Sequence, residues 1–218
     1  MGRRLTPPQE DYLKALYVLG GGTASISTST LARQLGVSVP SATEMLGRLD
    51  VLGLVRHDRY RGAMLTAGGE AVALEVVRCH RLVETFLTEK LGYTWDEVHE
   101  EAERLEHVVS ERMAERMSEA LGHPAVDCHG DPIPGPGGAL AESGHPSLAQ
   151  APAGAEVTVS RVSDRDSGVL RMADQLGLRP GARLEVVAES AYEGPIAIRV
   201  RGRRRLVPLG IARAVFVG

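Results

Sequence analysis

Apolar residues recur at helical spacing from Pro7 to Leu19, where Leu13, Leu16 and Tyr17 form one stripe, Thr6 caps and Pro7 occupies the first turn. Gly20-Gly21-Gly22 ends this helix. A short helix over Ser29–Leu35 follows, then the break Gly36-Val37-Ser38 and a helix over Val39–Leu52. In the last of these, Ala42, Met45, Leu46 and Leu49 face a core, while Ser41, Glu44 and Arg48 share another face. Two short strands, Leu54–His57 and Ala63–Thr66, flank a polar tip. Long helical patterns then run from about Gly68 to Leu91 and from about Trp95 to Leu121, the second stopped by Gly122 and Pro124. Beyond residue 154 the period changes. Glu156–Val162, Arg183–Glu189, Ile196–Arg201, Arg204–Pro208 and Ala212–Val217 read as strands, with a helix near Gly168–Leu176, which predicts a small barrel.

Between these halves, residues 124–154 hold six of the twelve prolines and six glycines. The expected organisation is therefore an N-terminal domain over 1–74, a helical domain over 75–141, a Pro/Gly/Ala linker over 142–154 and a β domain over 155–218. The fold class is mainly α with a small β domain.

Net charge is −3 over 218 residues, but it is unevenly spread. Residues 1–75 sum to +1, 76–123 to −5, 124–154 to −3 and 155–218 to +4. A mildly basic head followed by an acidic middle fits a chain that meets DNA with one part and cations with another. Only Cys79 and Cys128 occur, which excludes a disulfide scaffold and a Cys-x-x-Cys zinc site. No apolar run is long enough to span a membrane, so a cytoplasmic location is expected.

Two short helices with a glycine-containing turn, then a two-stranded ribbon, make the pattern of a winged helix-turn-helix. Its second helix would enter the major groove of double-stranded DNA with Ser38, Pro40, Ser41, Thr43, Glu44 and Arg48, and Arg59 and Arg61 would sit at the wing. A helical hairpin used for protein contacts is the blander reading. In the acidic middle, His99, Glu103, Glu106 and His107 fall within about 100° of one helix face, and His80 and Glu84 pair at i, i+4. Two helices presenting His and Glu suit a metal site in a bundle, although spacing alone leaves a solvated acidic helix open. Carboxylates and imidazoles without sulfur favour Mn(II), Fe(II) or a similar divalent ion. Cys79 reads as core, and Cys128-His129 as a loop pair that either packs or supplies a stray ligand.

The combination of a winged helix-turn-helix, H-x-x-x-E over His80–Glu84, H-x-x-x-E-x-x-E-H over His99–His107, and the segment His123-Pro124 through Cys128-His129-Gly130-Asp131-Pro132-Ile133-Pro134 resembles the diphtheria toxin repressor family of metal-dependent regulators. The C-terminal strands are similar to its SH3-like, FeoA-like domain. The resemblance implies a homodimeric repressor built on the middle helices and binding an inverted-repeat operator. It implies a core metal site of Asp11, Glu103, Glu106 and His107, and a second site of His80, Glu84 and His99 completed by the third domain through Asp164 or Asp166. The iron branch has methionine and cysteine where this chain has Asp11 and Glu103, so the harder ligands imply Mn(II), control of metal-uptake genes, and Fe(II) as the alternative. One departure is Lys14, which stands where two-domain manganese regulators carry an acidic ligand. A closely spaced pair of ions is therefore not expected. No G-x-S-x-G, P-loop or G-x-G-x-x-G occurs, and H-E-x-x-H lacks its second histidine at Glu103. A metal hydrolase and a sensor of an organic ligand are the rivals from other classes.

Overall fold

A computed structural model describes residues 5–20, 24–58, 60–138, 144–188 and 194–218. Its helices are α1 (Pro7–Gly20), α2 (Thr28–Gln34), α3 (Val39–Val51), α4 (Ala67–Leu91), α5 (Val98–Leu105), α6 (Glu111–Ala120), α7 (Ser167–Leu176) and α8 (Leu209–Ala214). Its strands are β1 (Val55–Asp58), β2 (Gly62–Leu65), β3 (Glu156–Val162), β4 (Arg183–Ala188), β5 (Ile196–Val200), β6 (Arg203–Val207) and β7 (Val215–Val217). The chain forms two compact units, with the boundary inside α4 after His80.

The first unit holds α1–α3, the β1–β2 ribbon, the start of α4, the short segment Glu106–Val109 and the chain from Pro134. Its core gathers Leu13, Leu16, Leu31, Ala42, Leu46, Leu49, Val55 and Ala63, which are the apolar positions at helical or alternating spacing. Ser27 caps α2 and Ser38 caps α3, each accepting a backbone N–H from the first turn. Ile26 exchanges two backbone bonds of 2.8 Å with Ala63, adding a short third edge to the ribbon. That close approach explains Gly62: its φ is +91°, and a Cβ there would run into the Ile26 carbonyl oxygen.

The second unit holds the end of α4, α5, α6, the chain through Ile133 and the C-terminal β domain. Five antiparallel strands in the order β6-β5-β4-β3-β7 wrap a core of Val159, Val162, Leu170, Leu184, Val186, Ile198 and Val215. Two expectations change here. The predicted strand over Ala212–Val217 begins instead as α8, and only Val215–Val217 pairs with β3. The expected linker is also structured in its described residues 144–154. A 3-10 turn at Leu148–Gln150 seats Leu148 and Ala151 in the barrel core, and Ser147 bridges Phe216.

The long helix expected over Trp95–Leu121 is broken. α5 stops at Leu105, and α6 restarts behind Ser110, whose hydroxyl accepts the Met113 N–H at 3.2 Å. Trp95 precedes α5 and is buried in the barrel core. Ala102, Leu105, Val109 and Met113 recur at the spacing of one continuous apolar stripe, but beyond the break Met113 is 52% exposed.

Candidate metal centres and DNA-reading face

The first unit gathers Asp11, Glu106 and His107, each offering a ligand atom within 4.8 Å of the others. Asp11 stands in the second turn of α1, while Glu106 and His107 follow the end of α5, so the helix break turns these two toward α1. His107 Nε2 lies 2.8 Å from Asp11 Oδ1 and 3.4 Å from Glu106 Oε1, and its Nδ1 lies 2.7 Å from Glu10 Oε2. A neutral imidazole carries only one N–H, so in either tautomer one ring lone pair faces a carboxylate oxygen. That arrangement is favourable only with a proton or a cation between them. Glu10, absent from the sequence reading, is placed to fix the ring through Nδ1, as carboxylates commonly do for metal-binding histidines.

Burial raises the Asp11 carboxyl above its usual range, and Glu106 adds to this against the lowering effect of His107 and Lys14. Burial also acts on Glu106, but hydrogen bonds and charge from His80 and Lys14 outweigh it and hold that carboxyl below its usual range. Lys14 Nζ donates to Glu106 Oε2 at 2.7 Å and Oε1 at 3.0 Å, and lies 3.1 Å from His80 Nδ1. His80 Nδ1 also meets Glu106 Oε2 directly. Cys79 lies beside this group. Burial, with the negative charge of Glu106, pushes its thiol up to about 12.

The expected fourth ligand, Glu103, belongs to α5 in the second unit, where its side chain is 58% exposed and lies 3.5 Å from His99 Nε2. The stripe that joined His99, Glu103, Glu106 and His107 required a continuous helix, which ends at Leu105.

In the second unit Glu84, Asp127 and His129 are all buried, with ligand atoms likewise within 4.8 Å. His99 Nδ1 lies 3.0 Å from Glu84 Oε1, and His129 Nδ1 lies 3.7 Å from Glu84 Oε2. The His129 ring stacks on Trp95, and its Nε2 bonds the Trp95 carbonyl at 2.7 Å. A ring donating from Nε2 leaves Nδ1 facing Glu84. Burial opposes a charged His129, but Cys128 and Glu84 outweigh it, so its pKa is raised. Burial, reinforced by Asp131 and Glu84, pushes Asp127 up to about 7.

Asp127 is fixed by the backbone N–H groups of His129 and Asp131, which donate to its Oδ1 at 2.8 and 2.9 Å. Arg81 holds the same loop through Asp127, Asp131 and the Pro132 carbonyl. Val162 of β3 donates to the His129 carbonyl at 2.9 Å. Gly130, at φ +90°, lies so close to the Ser160 carbonyl that no Cβ would fit. His129, which the sequence marks as a loop residue that packs or supplies a stray ligand, thus joins Glu84 and Asp127 in one buried cluster, and Asp127 is the member that the sequence did not mark.

His80 lies one turn before Glu84 on α4, in the first unit, where Glu106 and Lys14 are its neighbours. Of the two third-domain candidates, Asp166 caps α7 by accepting the Gly168 N–H at 2.7 Å and is exposed. Its carboxylate is thereby turned to its own helix. Asp164 acts on Asp131, adding to the rise of that carboxyl, which is caused first by burial.

The outward face of α3 carries Ser38, Pro40, Ser41, Thr43, Glu44 and Arg48, all exposed. Ser38 and Ser41 share a 2.8 Å hydroxyl contact at the cap, and Thr43 donates to the Val39 carbonyl. Glu44 and Arg48 pair at 2.5 Å on the exposed face, a bond that costs little to exchange for a base edge or phosphate. Arg61 is exposed at the ribbon tip, and Arg59 lies outside the described residues.

Comparison with known proteins covers nearly the whole chain. Residues 4–63 match the family described as "Iron dependent repressor, N-terminal DNA binding domain", residues 66–135 "Iron dependent repressor, metal binding and dimerisation domain", and residues 147–218 "FeoA domain". The iron-dependent repressor IdeR of Mycobacterium leprae is 32% identical, with 98% of this chain and 97% of that protein covered. A solved manganese-dependent transcriptional repressor in complex with manganese is 39% identical at a TM-score of 0.88, covering 96% of this chain and 98% of the other. The manganese regulator SloR is 35% identical at a TM-score of 0.78, covering 98% and 99%.

Proposed function

The chain belongs to the diphtheria toxin repressor family, whose members are metal-dependent transcriptional repressors and not enzymes, and from that premise we propose that it is a Mn(II)-responsive repressor of metal-uptake genes. It has the DNA-binding, dimerisation and SH3-like FeoA parts of such a protein. No helix among the described residues is long and apolar enough to cross a membrane.

The observation that carries the manganese reading is the donor set. Asp11, Glu106 and His107 offer two hard carboxylates and an imidazole, with no sulfur in the group. When bound, a divalent ion supplies the positive charge that these converging lone pairs lack. Glu10 orients His107, and Asp11 carries the constraint into α1, which packs on β2 and α2 of the reading head. In this reading, metal occupancy favours the DNA-competent spacing of the two reading heads in a homodimer, and the operator is an inverted repeat. Glu84, Asp127 and His129, with His99 on Glu84, form the candidate second site.

The full-length similarity to IdeR favours Fe(II) as the second reading. Separate anaerobic titrations of Mn(II) and Fe(II) into the metal-free dimer, read by retention of genomic DNA fragments, distinguish them. Activation at lower free Mn(II) than Fe(II) is expected, with an inverted repeat shared among the retained fragments. The reverse order would make the protein an iron sensor.

A further inference from the structure

Lys14 follows Asp11 by three residues on α1, yet its side chain is only 14% exposed, because the ammonium sits on the buried carboxylate of Glu106. Nζ reaches both oxygens, at 2.7 and 3.0 Å, and His80 Nδ1 at 3.1 Å. Glu106 therefore has two occupied flanks. On one flank Oε1 faces His107 Nε2 at 3.4 Å, in the group completed by Asp11. The other flank is covered by the ammonium, surrounded by two carboxylate oxygens and an imidazole nitrogen, which is itself a donor set suited to a divalent ion.

We infer that Lys14 is a tethered cation that holds one half of the core site, limits that site to a single divalent ion, and raises the metal concentration at which it fills. This rests on the core-site reading given above. Glu106 cannot direct its full charge to an ion on the Asp11 flank while an ammonium draws on both of its oxygens. The ammonium and the ion also repel each other across a poorly solvated carboxylate, where such repulsion is weakly screened. In exchange, Lys14 holds both oxygens of Glu106 in place before metal arrives, so the site is assembled at low metal. The threshold is therefore written partly into a residue that binds no metal.

Mn(II) binding to the full-length protein, followed by metal analysis and electron paramagnetic resonance, tests this in the parent, His107→Ala, Lys14→Met and Lys14→Glu. The parent is expected to hold one magnetically isolated core ion per chain, lost in His107→Ala. Lys14→Met is expected to bind that ion at least tenfold more tightly at unchanged stoichiometry. Lys14→Glu is expected to take one further ion per chain and to show a spin-coupled pair sharing Glu106. A coupled pair in the parent, no tightening in Lys14→Met, or a folded Lys14→Glu without the extra ion would overturn the inference. If Lys14→Glu does not fold, the parent and Lys14→Met decide it. Undiminished Mn(II) stoichiometry in His107→Ala has a different meaning: it removes the core-site reading itself, and the role of Lys14 with it.

Discussion

Glu106→Gln in the metal-free protein isolates the electrostatics of the core site from any ion. The parent carboxylate is 1% exposed and accepts two bonds from an ammonium that is 14% exposed. An amide of the same shape removes the negative charge and one of the two oxygens that accept from Lys14. Breaking a buried ion pair from one side costs about 3–5 kcal/mol, and the partial exposure of Lys14 places this case near about 3 kcal/mol. Adding Lys14→Met removes the stranded charge and should recover about 2 kcal/mol, a coupling large enough to survive the errors of a double-mutant cycle. The pH dependence has a definite sign. The Glu106 carboxyl is held below its usual 4.5, so its contribution is full above that value and fades as pH falls through the folded pKa. The gap between parent and Glu106→Gln should therefore narrow in acid. Native-state hydrogen exchange at the Leu13 and Leu16 amides, in chelator, reports the first unit directly. A cost below about 0.5 kcal/mol, with no recovery in the double variant, would refute the buried-pair reasoning.

Three further outcomes follow from particular contacts. Glu10→Ala should weaken Mn(II) binding about 10–100-fold by calorimetry, through loss of the His107 orienting bond, with little change in folding stability. Asp127, pushed up to about 7, disfavours the metal-free fold increasingly as pH rises above its unfolded value of 3.8; Asp127→Asn should gain stability over the parent across that window, by up to about 4 kcal/mol, and a pH-independent difference in urea unfolding followed at Trp95 would contradict this. Leu148→Ala should cost about 2–5 kcal/mol in barrel stability, whereas a solvated linker residue would cost almost nothing.

The reading head was legible because its signals agree with one another. Serines at Ser27 and Ser38 cap helices whose apolar residues keep a 3.6 period, and the ribbon ends where Gly62 must approach Ile26. The α5–α6 break was hidden because the apolar period continues through it in phase, so only Val108-Val109 and the Ser110 cap mark the interruption. Ile211, Val215 and Val217 fit alternation, but α8 forms first, behind Pro208, whose carbonyl accepts the Ala212 N–H at 3.0 Å, and only Val215–Val217 is strand. Residues 144–154 have a linker's composition, but one fully buried leucine ties them to the barrel.

The core site shows a different limit. Asp11 is separated from His107 by 96 residues, and nothing in its local spacing marks it, so its role came through family resemblance alone. Glu10 and the seat of Lys14 on Glu106 became visible only once α1 was placed beside the Glu106–Val109 segment. Asp127 and His129 needed the Gly130 turn against β3 before they could meet Glu84. Glu103 shares a helical stripe with Glu106 and His107 only if one helix continues past Leu105, where α5 ends.

The most direct test of a metal-gated repressor is the affinity of the dimer for an operator selected from its own genome, measured with Mn(II) and again with chelator at fixed salt. Since metal must bias the spacing of two reading heads, binding should tighten by about 5–150-fold with Mn(II), the usual span of a coupling between sites. His107→Ala should bind weakly in both conditions. Equal affinity with and without Mn(II) in the parent would contradict the account, leaving a DNA-binding protein whose clustered carboxylates and imidazoles serve the fold alone.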